Sequence, residues 1–352
     1  MTRQPGAERT AYYERIGALN LAPLWEYRNP SKPRTPAVPV HWRWGEVRPH
    51  LIESGTMISE AEAHRRVLVL ENPGLRGAQA ATRTLYAGLQ LIRPGEIAPN
   101  HRHTQAALRF VLEGEGAYTA VAGEKAPMHP GDFVVTPSWS WHDHGNEGSG
   151  DVIWLDVLDS PMVAFLGAEF RENAPEESQR TDRPAGDSAA RFGAGLVPMG
   201  FQPGGQASPV LNYPYARSRA VLASLARAGD ADACHGLKMQ YVNPATGGPA
   251  FPSIATFLQL LPKGFSGVPY RSTDAAIYAV AEGHGRTTVG DQVFEWGPRD
   301  VFVVPSWVRH SHETAEEAVL FSASDRPVHE KLDLWREMRG NREDRENSVG
   351  HD

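Results

Sequence analysis

Short apolar runs broken by glycine, proline, asparagine and aspartate dominate the chain. Residues 84–92, 106–112, 116–122, 132–136 and 152–158 read as strands, each apolar or aromatic along much of its length and bounded by turn formers. Several short strands at this spacing predict an all-β sandwich or jelly-roll barrel. Helical patterns sit at the edges, over 11–24, around 218–228 and over 327–339. The proline-rich stretch 29–40 predicts an extended arm, and the polar, charged stretch 174–190 predicts a mobile linker. The last dozen residues read as disordered.

The chain also repeats itself. Asp132-Phe-Val-Val-Thr-Pro137-Ser-Trp139-Ser-Trp-His142-Asp-His144 recurs as Asp300-Val-Phe-Val-Val-Pro305-Ser-Trp307-Val-Arg-His310-Ser-His312, an offset of 300 − 132 = 168 residues. Glu113-Gly114-Glu-Gly116 recurs as Glu282-Gly283-His-Gly285, an offset of 283 − 114 = 169. Two copies of one β-domain follow. Carrying 169 back places Tyr270 and Ser272 where the first copy has His101 and His103.

Composition narrows the class. At 352 residues and 41% hydrophobic content, the chain has room for two domains. A net charge of −7 with no Lys/Arg block disfavours a nucleic-acid partner. The one cysteine, Cys234, allows no internal disulfide and reads as a small buried side chain in a reducing compartment. No apolar run approaches the roughly 20 residues of a membrane span, and the first residues lack a signal-peptide core. A soluble cytoplasmic protein without a membrane partner is expected.

His101, His103 and His142 carry the chemistry. Residues i and i+2 of a strand share a face, so two imidazoles stand side by side and a third closes on them. Three protein ligands leave coordination positions open, as a catalytic metal requires, and the spacing alone permits iron, zinc, manganese, nickel or copper. If the strand runs on regularly from His103, Arg109 follows into the barrel, where its guanidinium suits a substrate carboxylate; a salt bridge at the rim is the alternative. His144 lies two residues beyond His142 and could move a proton. Asp156, in an apolar strand, needs a partner: His144, a metal-bound imidazole or a loop backbone. Ser138 and Ser306 recur in both copies and read as turn residues, with Trp139 and Trp141 packing around them.

Gly95-x5-His101-x-His103 and Gly131-x5-Pro137-x4-His142-x3-Asn146 resemble the paired motifs of the cupin superfamily, and the repeat makes the chain resemble a bicupin. Two departures stand out: the glutamate usual after the second histidine falls on Leu108, and a usual glycine is Trp139. Longer stretches are similar to the gentisate 1,2-dioxygenase group, which includes enzymes acting on salicylates and 1-hydroxy-2-naphthoate. They are Leu85-Tyr-Ala-Gly-Leu-Gln90, His101 to Phe110, Pro137 to Asn146, Ile153-Trp-Leu-Asp156-Val-Leu-Asp159, Arg191 to Pro198, Lys238 to Gly248 and Tyr270-Arg-Ser-Thr-Asp274. The likeness covers roughly residues 10–340.

The resemblance implies one Fe(II) per chain on His101, His103 and His142, with O2 and a small aromatic hydroxy acid as substrates. Gentisate would open between its carboxylate-bearing and hydroxylated carbons to give maleylpyruvate; salicylate, its 5-nitro or 5-chloro derivatives and 1-hydroxy-2-naphthoate remain alternatives. A zinc or manganese isomerase and a non-catalytic bicupin are more distant. Three neutral imidazoles leave the ion its full charge, which a carboxylate and a phenolate would balance, so the missing glutamate is physically tolerable. The resemblance further implies that Gln90, Gly88 and Tyr86 line the pocket and that Arg65 reaches it, the alternatives being ordinary barrel packing for the first three and a solvated surface position for Arg65. The expected organisation is an N-terminal helix and arm (1–78), a metal-binding cupin domain (79–173), a linker with helix (174–235), a second cupin lacking the full metal set (236–330) and a C-terminal helix end and tail (331–352). Relatives suggest a homo-oligomer, a tetramer being favoured.

Overall fold

The protein is described from a computed structural model, covering residues 6–229 and 231–340; the expected disordered tail lies outside the described residues. Residues up to 34 form one unit and those from 35 another. In the first, the helix expected over 11–24 instead spans Ala7–Gly17. It closes early because Asn20 adopts φ 57° and Leu21 N–H turns back to the Ile16 carbonyl at 3.0 Å. Tyr13 gathers this unit, donating to Glu26 at 2.5 Å and accepting from Arg9 and Trp25.

From residue 35 the fold is two jelly-roll barrels. The first has a sheet ordered Asn212–Tyr213, Phe133–Thr136, Ala107–Glu113, Val152–Leu158, Tyr86–Ile92, Arg66–Val69. Against it lies a sheet ordered Arg171–Asn173, Ile97–His103, His142–Asn146, Ala117–Val121, Glu124–Pro127. The second barrel repeats both orders strand for strand, with Val40–Trp42, Val301–Val304, Ala276–Glu282, Ala318–Ser324, Ala255–Leu261 and Leu237–Gln240 in the large sheet.

This order redraws the expected boundaries. Val40–Trp42 ends the arm by pairing with Val301–Val304 of the second barrel, and Asp300 accepts from Trp44 N–H at 2.7 Å. Arg66–Val69 belongs to the first barrel, which therefore begins before 79. Asn212–Tyr213, from the expected linker, completes the first barrel's sheet. Each barrel is thus closed by a strand lying outside its own repeat. The stretch 174–190 is pinned rather than loose: Gln179 donates to the Ala120 carbonyl and accepts from Gly123 N–H, and Ser188 donates to the buried Glu124. The C-terminal helix is only Arg326–Lys331, because Glu337–Arg339 leaves to pair with Tyr270–Ser272. An unexpected helix, Trp44–Met57, buries Leu51 against the first barrel's sheet.

The main apolar core lies between the barrels. Ala87, Leu89, Leu91, Leu108, Phe110, Phe133, Leu155 and Val157 join Leu258, Leu260, Ile277, Val303 and Phe321 in one cluster, with Phe110 stacked on Phe321 at 4.2 Å and 9°. Alternate residues of the same strands face the barrel interior, which is where Tyr86, Gly88, Gln90, Arg109, Thr136 and Asp156 stand. Phe110→Ala would remove a ring from this shared core and should cost about 3–5 kcal/mol, read as a lower denaturation midpoint; an unchanged midpoint would mean the barrels do not depend on each other there.

Candidate metal centre

His101 and His103 project together from the strand Ile97–His103, and His101 pairs in register with His142 on the neighbouring strand. Each imidazole is aimed by the same device. Nδ1 of His101 lies 2.7 Å from the Pro99 carbonyl, that of His103 2.9 Å from Gln105 and that of His142 2.9 Å from Ser140. A carbonyl only accepts, so each Nδ1 carries the proton and each Nε2 presents a lone pair. The three Nε2 atoms are buried without partners, and the three ligand atoms lie within 4.8 Å of one another. Burial lowers the pKa of His101 to about 2 and of His103 to about 3, and takes His142 well below the ordinary value. Three neutral imidazoles pointing lone pairs at one spot are costly empty and well matched to a divalent cation.

The Pro-Ser-Trp turn holds this arrangement. Trp139 sits at φ 59°, the conformation a glycine usually supplies, and its N–H donates to the His103 carbonyl at 2.8 Å. Ser138 donates to the Thr104 carbonyl, and the Trp139 ring packs on Phe170 and Arg102 at 4.3 Å each. The second barrel builds the same turn, with Trp307 at φ 62° and Ser306 donating to the Thr273 carbonyl. Both serines serve the turn.

Arg109 reaches the interior by a different route from the one expected. The strand from His103 does not run on: it ends there, and Ala107–Glu113 begins in the opposite sheet. Alternation within the new strand turns Arg109 inward and Leu108 into the inter-barrel core. The position beside Leu108 that faces inward is Ala107, which offers no carboxylate to the histidines. Arg109 is buried; Nη1 donates to Thr136 Oγ1 at 2.6 Å and Nη2 to His144 Nε2 at 2.8 Å. His144 must then hold its proton on Nδ1, 3.0 Å from Thr119 Oγ1, whose hydroxyl donates to Met128 Sδ. Burial and the Arg109 charge keep His144 neutral, and its acceptor nitrogen is already occupied. Asp156 does not bond a metal-facing imidazole; its carboxylate lies 3.5 Å from Arg109 Nε, both atoms lacking hydrogen-bond partners.

Arg65 is half-buried rather than fully solvated. Burial pulls its pKa down to about 10, and its charge acts on His101, His103 and Asp156. Sequence reasoning missed Arg171, whose charge also bears on His101 and His103, and the threonines at 119 and 136. Inward-facing parity could have found Thr136, while nothing local marks Arg171. Gln90 is buried with Oε1 unpartnered beside Arg65. A methyl on Gly88 would come within 2.5 Å of the Tyr86 hydroxyl and 2.6 Å of Val67 Cγ1, so any added bulk there moves Tyr86 first.

The cupin domain model matches residues 88–158 and 257–323. The chain is 51% identical to a gentisate 1,2-dioxygenase of Aquipseudomonas alcaligenes over 94% of its own length and 96% of that protein. It is 38% identical to a 5-aminosalicylate 1,2-dioxygenase of Comamonas sp over 93% and 89%. It superposes on salicylate 1,2-dioxygenase from Pseudoaminobacter salicylatoxidans bound to gentisate with a TM-score of 0.90 at 30% identity, covering 97% of this chain and 96% of that one. The chain belongs to the gentisate 1,2-dioxygenase family of bicupin ring-cleaving enzymes.

In this dioxygenase the buried histidines make stability depend on pH. His101, His103, His142 and His144 stay neutral in the fold below the ordinary value of 6.5, so the unfolded chain binds protons that the folded chain refuses. Their contribution is complete above about pH 6.5 and falls as pH drops, by up to about 1.4 kcal/mol per proton per pH unit. His329, raised by Asp325, acts in the opposite sense. The metal-free dioxygenase should therefore melt at a lower temperature at pH 5.5 than at pH 7.5; a flat profile would contradict neutral burial of the triad.

Proposed function

We propose that this dioxygenase opens gentisate with O2, using one Fe(II) held by His101, His103 and His142, to give maleylpyruvate. The observation that carries the reading is the charge around the triad. The charges of Arg65, Arg109 and the exposed Arg171 bear on the neutral imidazoles, and the Asp156 carboxylate lies beside Arg109. Such positive charge beside a cation site favours an anionic ligand. Bound there, Fe(II) would supply the one-electron chemistry that activates O2 toward an electron-rich ring.

The chain's own groups do the rest. Arg109 directs its positive charge to the substrate carboxylate, with His144 and Thr136 bracing the guanidinium and Asp156 beside Nε at 3.5 Å. His144 in this arrangement is a positioning residue rather than a free base. Asp156 balances part of the Arg109 charge, and Arg65 supplies a second cation. The unpartnered Gln90 Oε1 accepts from a ring hydroxyl, and Tyr86 and Gly88 shape the wall beside the ring. A salicylate-type substrate is the second reading, favoured by the close superposition on a salicylate dioxygenase; 5-nitro- and 5-chlorosalicylate and 1-hydroxy-2-naphthoate belong to it. Exposed Leu19, Leu21, Leu24, Trp25 and Tyr27 in the N-terminal unit supply apolar surface that a homo-oligomer, a tetramer by resemblance, would cover. Among the described residues no helix is long and apolar enough to cross a membrane, and a cytoplasmic location suits the unpaired Cys234.

The test is oxygen uptake by the Fe(II)-loaded enzyme across these acids, with ring opening followed by absorbance. Gentisate should turn over fastest, chelation should abolish activity, and Arg109→Lys should raise KM at least tenfold at constant iron content. Activity that survives chelation, or salicylate turning over as well as gentisate, would overturn the respective parts.

A further inference from the structure

The second barrel keeps the first one's frame and rewrites its polar lining. Strand pairing shows the correspondence: Arg109 faces Asp156 in the first barrel where Tyr278 faces Ser322 in the second. Val67 faces Gln90 in the first where Lys238 faces Gln259 in the second. Tyr270 and Ser272 occupy the places of two metal ligands. The second barrel has thus given up a guanidinium, a carboxylate and two imidazoles, and gained an ammonium on a strand that carries none in the first. Among the described residues only the first barrel's histidines gather as a metal set, and a cation at Lys238 works against one in the second.

The interior there is nonetheless hollow. A cavity of about 290 Å³ is lined by Lys238, Phe257, Tyr270, Asp274, Tyr278 and His310, with Ser322 among the further residues; small-molecule pockets begin near roughly 300 Å³. Lys238 Nζ lies 4.8 Å from the Phe257 ring centre and 3.4 Å from the Tyr278 hydroxyl, a long contact for a hydrogen bond. Burial, partly offset by Asp274, pulls its pKa to about 8, so it is mostly an ammonium at neutral pH. His310 Nε2, Ser322 Oγ and Asp274 Oδ1 are buried without partners, and His310 and Ser322 are only 5% and 1% exposed. Unpaired polar groups around a hollow are costly unless something enters to pair them.

The lining specifies the guest. The cavity's other cation, Arg326, is already paired with Glu330 at 2.7 Å, so the one ammonium calls for one carboxylate; Phe257, Tyr270 and Tyr278 supply aromatic walls; Asp274 Oδ1 and Ser322 Oγ suit a hydroxyl. A second carboxylate would meet Asp274 and be repelled, and an amine would meet Lys238. We propose that the second barrel is a metal-free binding site for a small aromatic hydroxy monocarboxylate, anchored on Lys238. This class overlaps the substrate class of the first barrel, yet occupancy of the second site depends on neither iron nor turnover. The segments Lys238 to Gly248 and Tyr270 to Asp274, which the chemistry of the first barrel leaves unused, thereby acquire a role.

The test uses the iron-loaded enzyme under argon with salicylate as probe, counting bound molecules by calorimetry. Wild type should bind two per chain. Lys238→Met should bind one, weakening the second site at least tenfold, with iron content and kcat unchanged; His101→Ala should also bind one, the complementary site. Ser322→Ala, on a different strand, should weaken salicylate several-fold and leave benzoate, which lacks the hydroxyl, unaffected. One molecule per chain in wild type, or two in both Lys238→Met and Ser322→Ala with wild-type affinities, would overturn the proposal. Failure of oxygen uptake with the second site still filled would instead count against the reading of the first barrel.

Discussion

Three imidazoles are held with their protons tied to backbone carbonyls and their lone pairs aimed at one buried point, and the rest of the first barrel is arranged around that constraint. Carbonyl oxygens of Pro99, Gln105 and Ser140 fix the tautomers without any side-chain acceptor. The orientation therefore depends on backbone geometry, which the strained Trp139 turn and the register between the two histidine strands enforce. Asp156 is thereby released from serving the metal ligands and left to balance Arg109.

The two barrels divide the work through alternation. Strands of the large sheets spend one face on a shared apolar core and keep the other for polar chemistry. Because the apolar face is anchored between barrels, the interior can hold Arg109, His144 and Gln90 in one copy and Lys238, Tyr278 and His310 in the other without losing the fold. Pairing Arg109 with a neutral His144 and with Thr136 satisfies much of a buried guanidinium, and Asp156 lies beside Nε. The strands Val40–Trp42 and Asn212–Tyr213, each closing a barrel from outside its own repeat, bind the copies into one body.

What could be read from sequence was local or periodic. The repeat follows from self-similarity at an offset of 168 to 169 residues, the five first-barrel strands from apolar runs bounded by turn formers, and the His-x-His pair and the shared face of Tyr86, Gly88 and Gln90 from a period of two; that this face lines the pocket follows from the resemblance. Contacts remote in the chain were not legible. The three residues Val40–Trp42 carry no pattern that points some 260 positions away, and Gln179 pins a segment whose polarity reads as loose. Arg109 was placed inward on a false premise, since the strand breaks after His103; a new strand's alternation restored the result. Arg65 and Lys238 look solvated by residue type, and only the fold shows that both are half-buried.

The account stands most directly on where a metal sits. Anomalous diffraction at the iron edge from crystals grown with Fe(II) should show one peak per chain, within bonding reach of Nε2 of His101, His103 and His142, and none in the second barrel. A peak elsewhere, or those three rings turned apart around an empty centre in an active crystal, would contradict it.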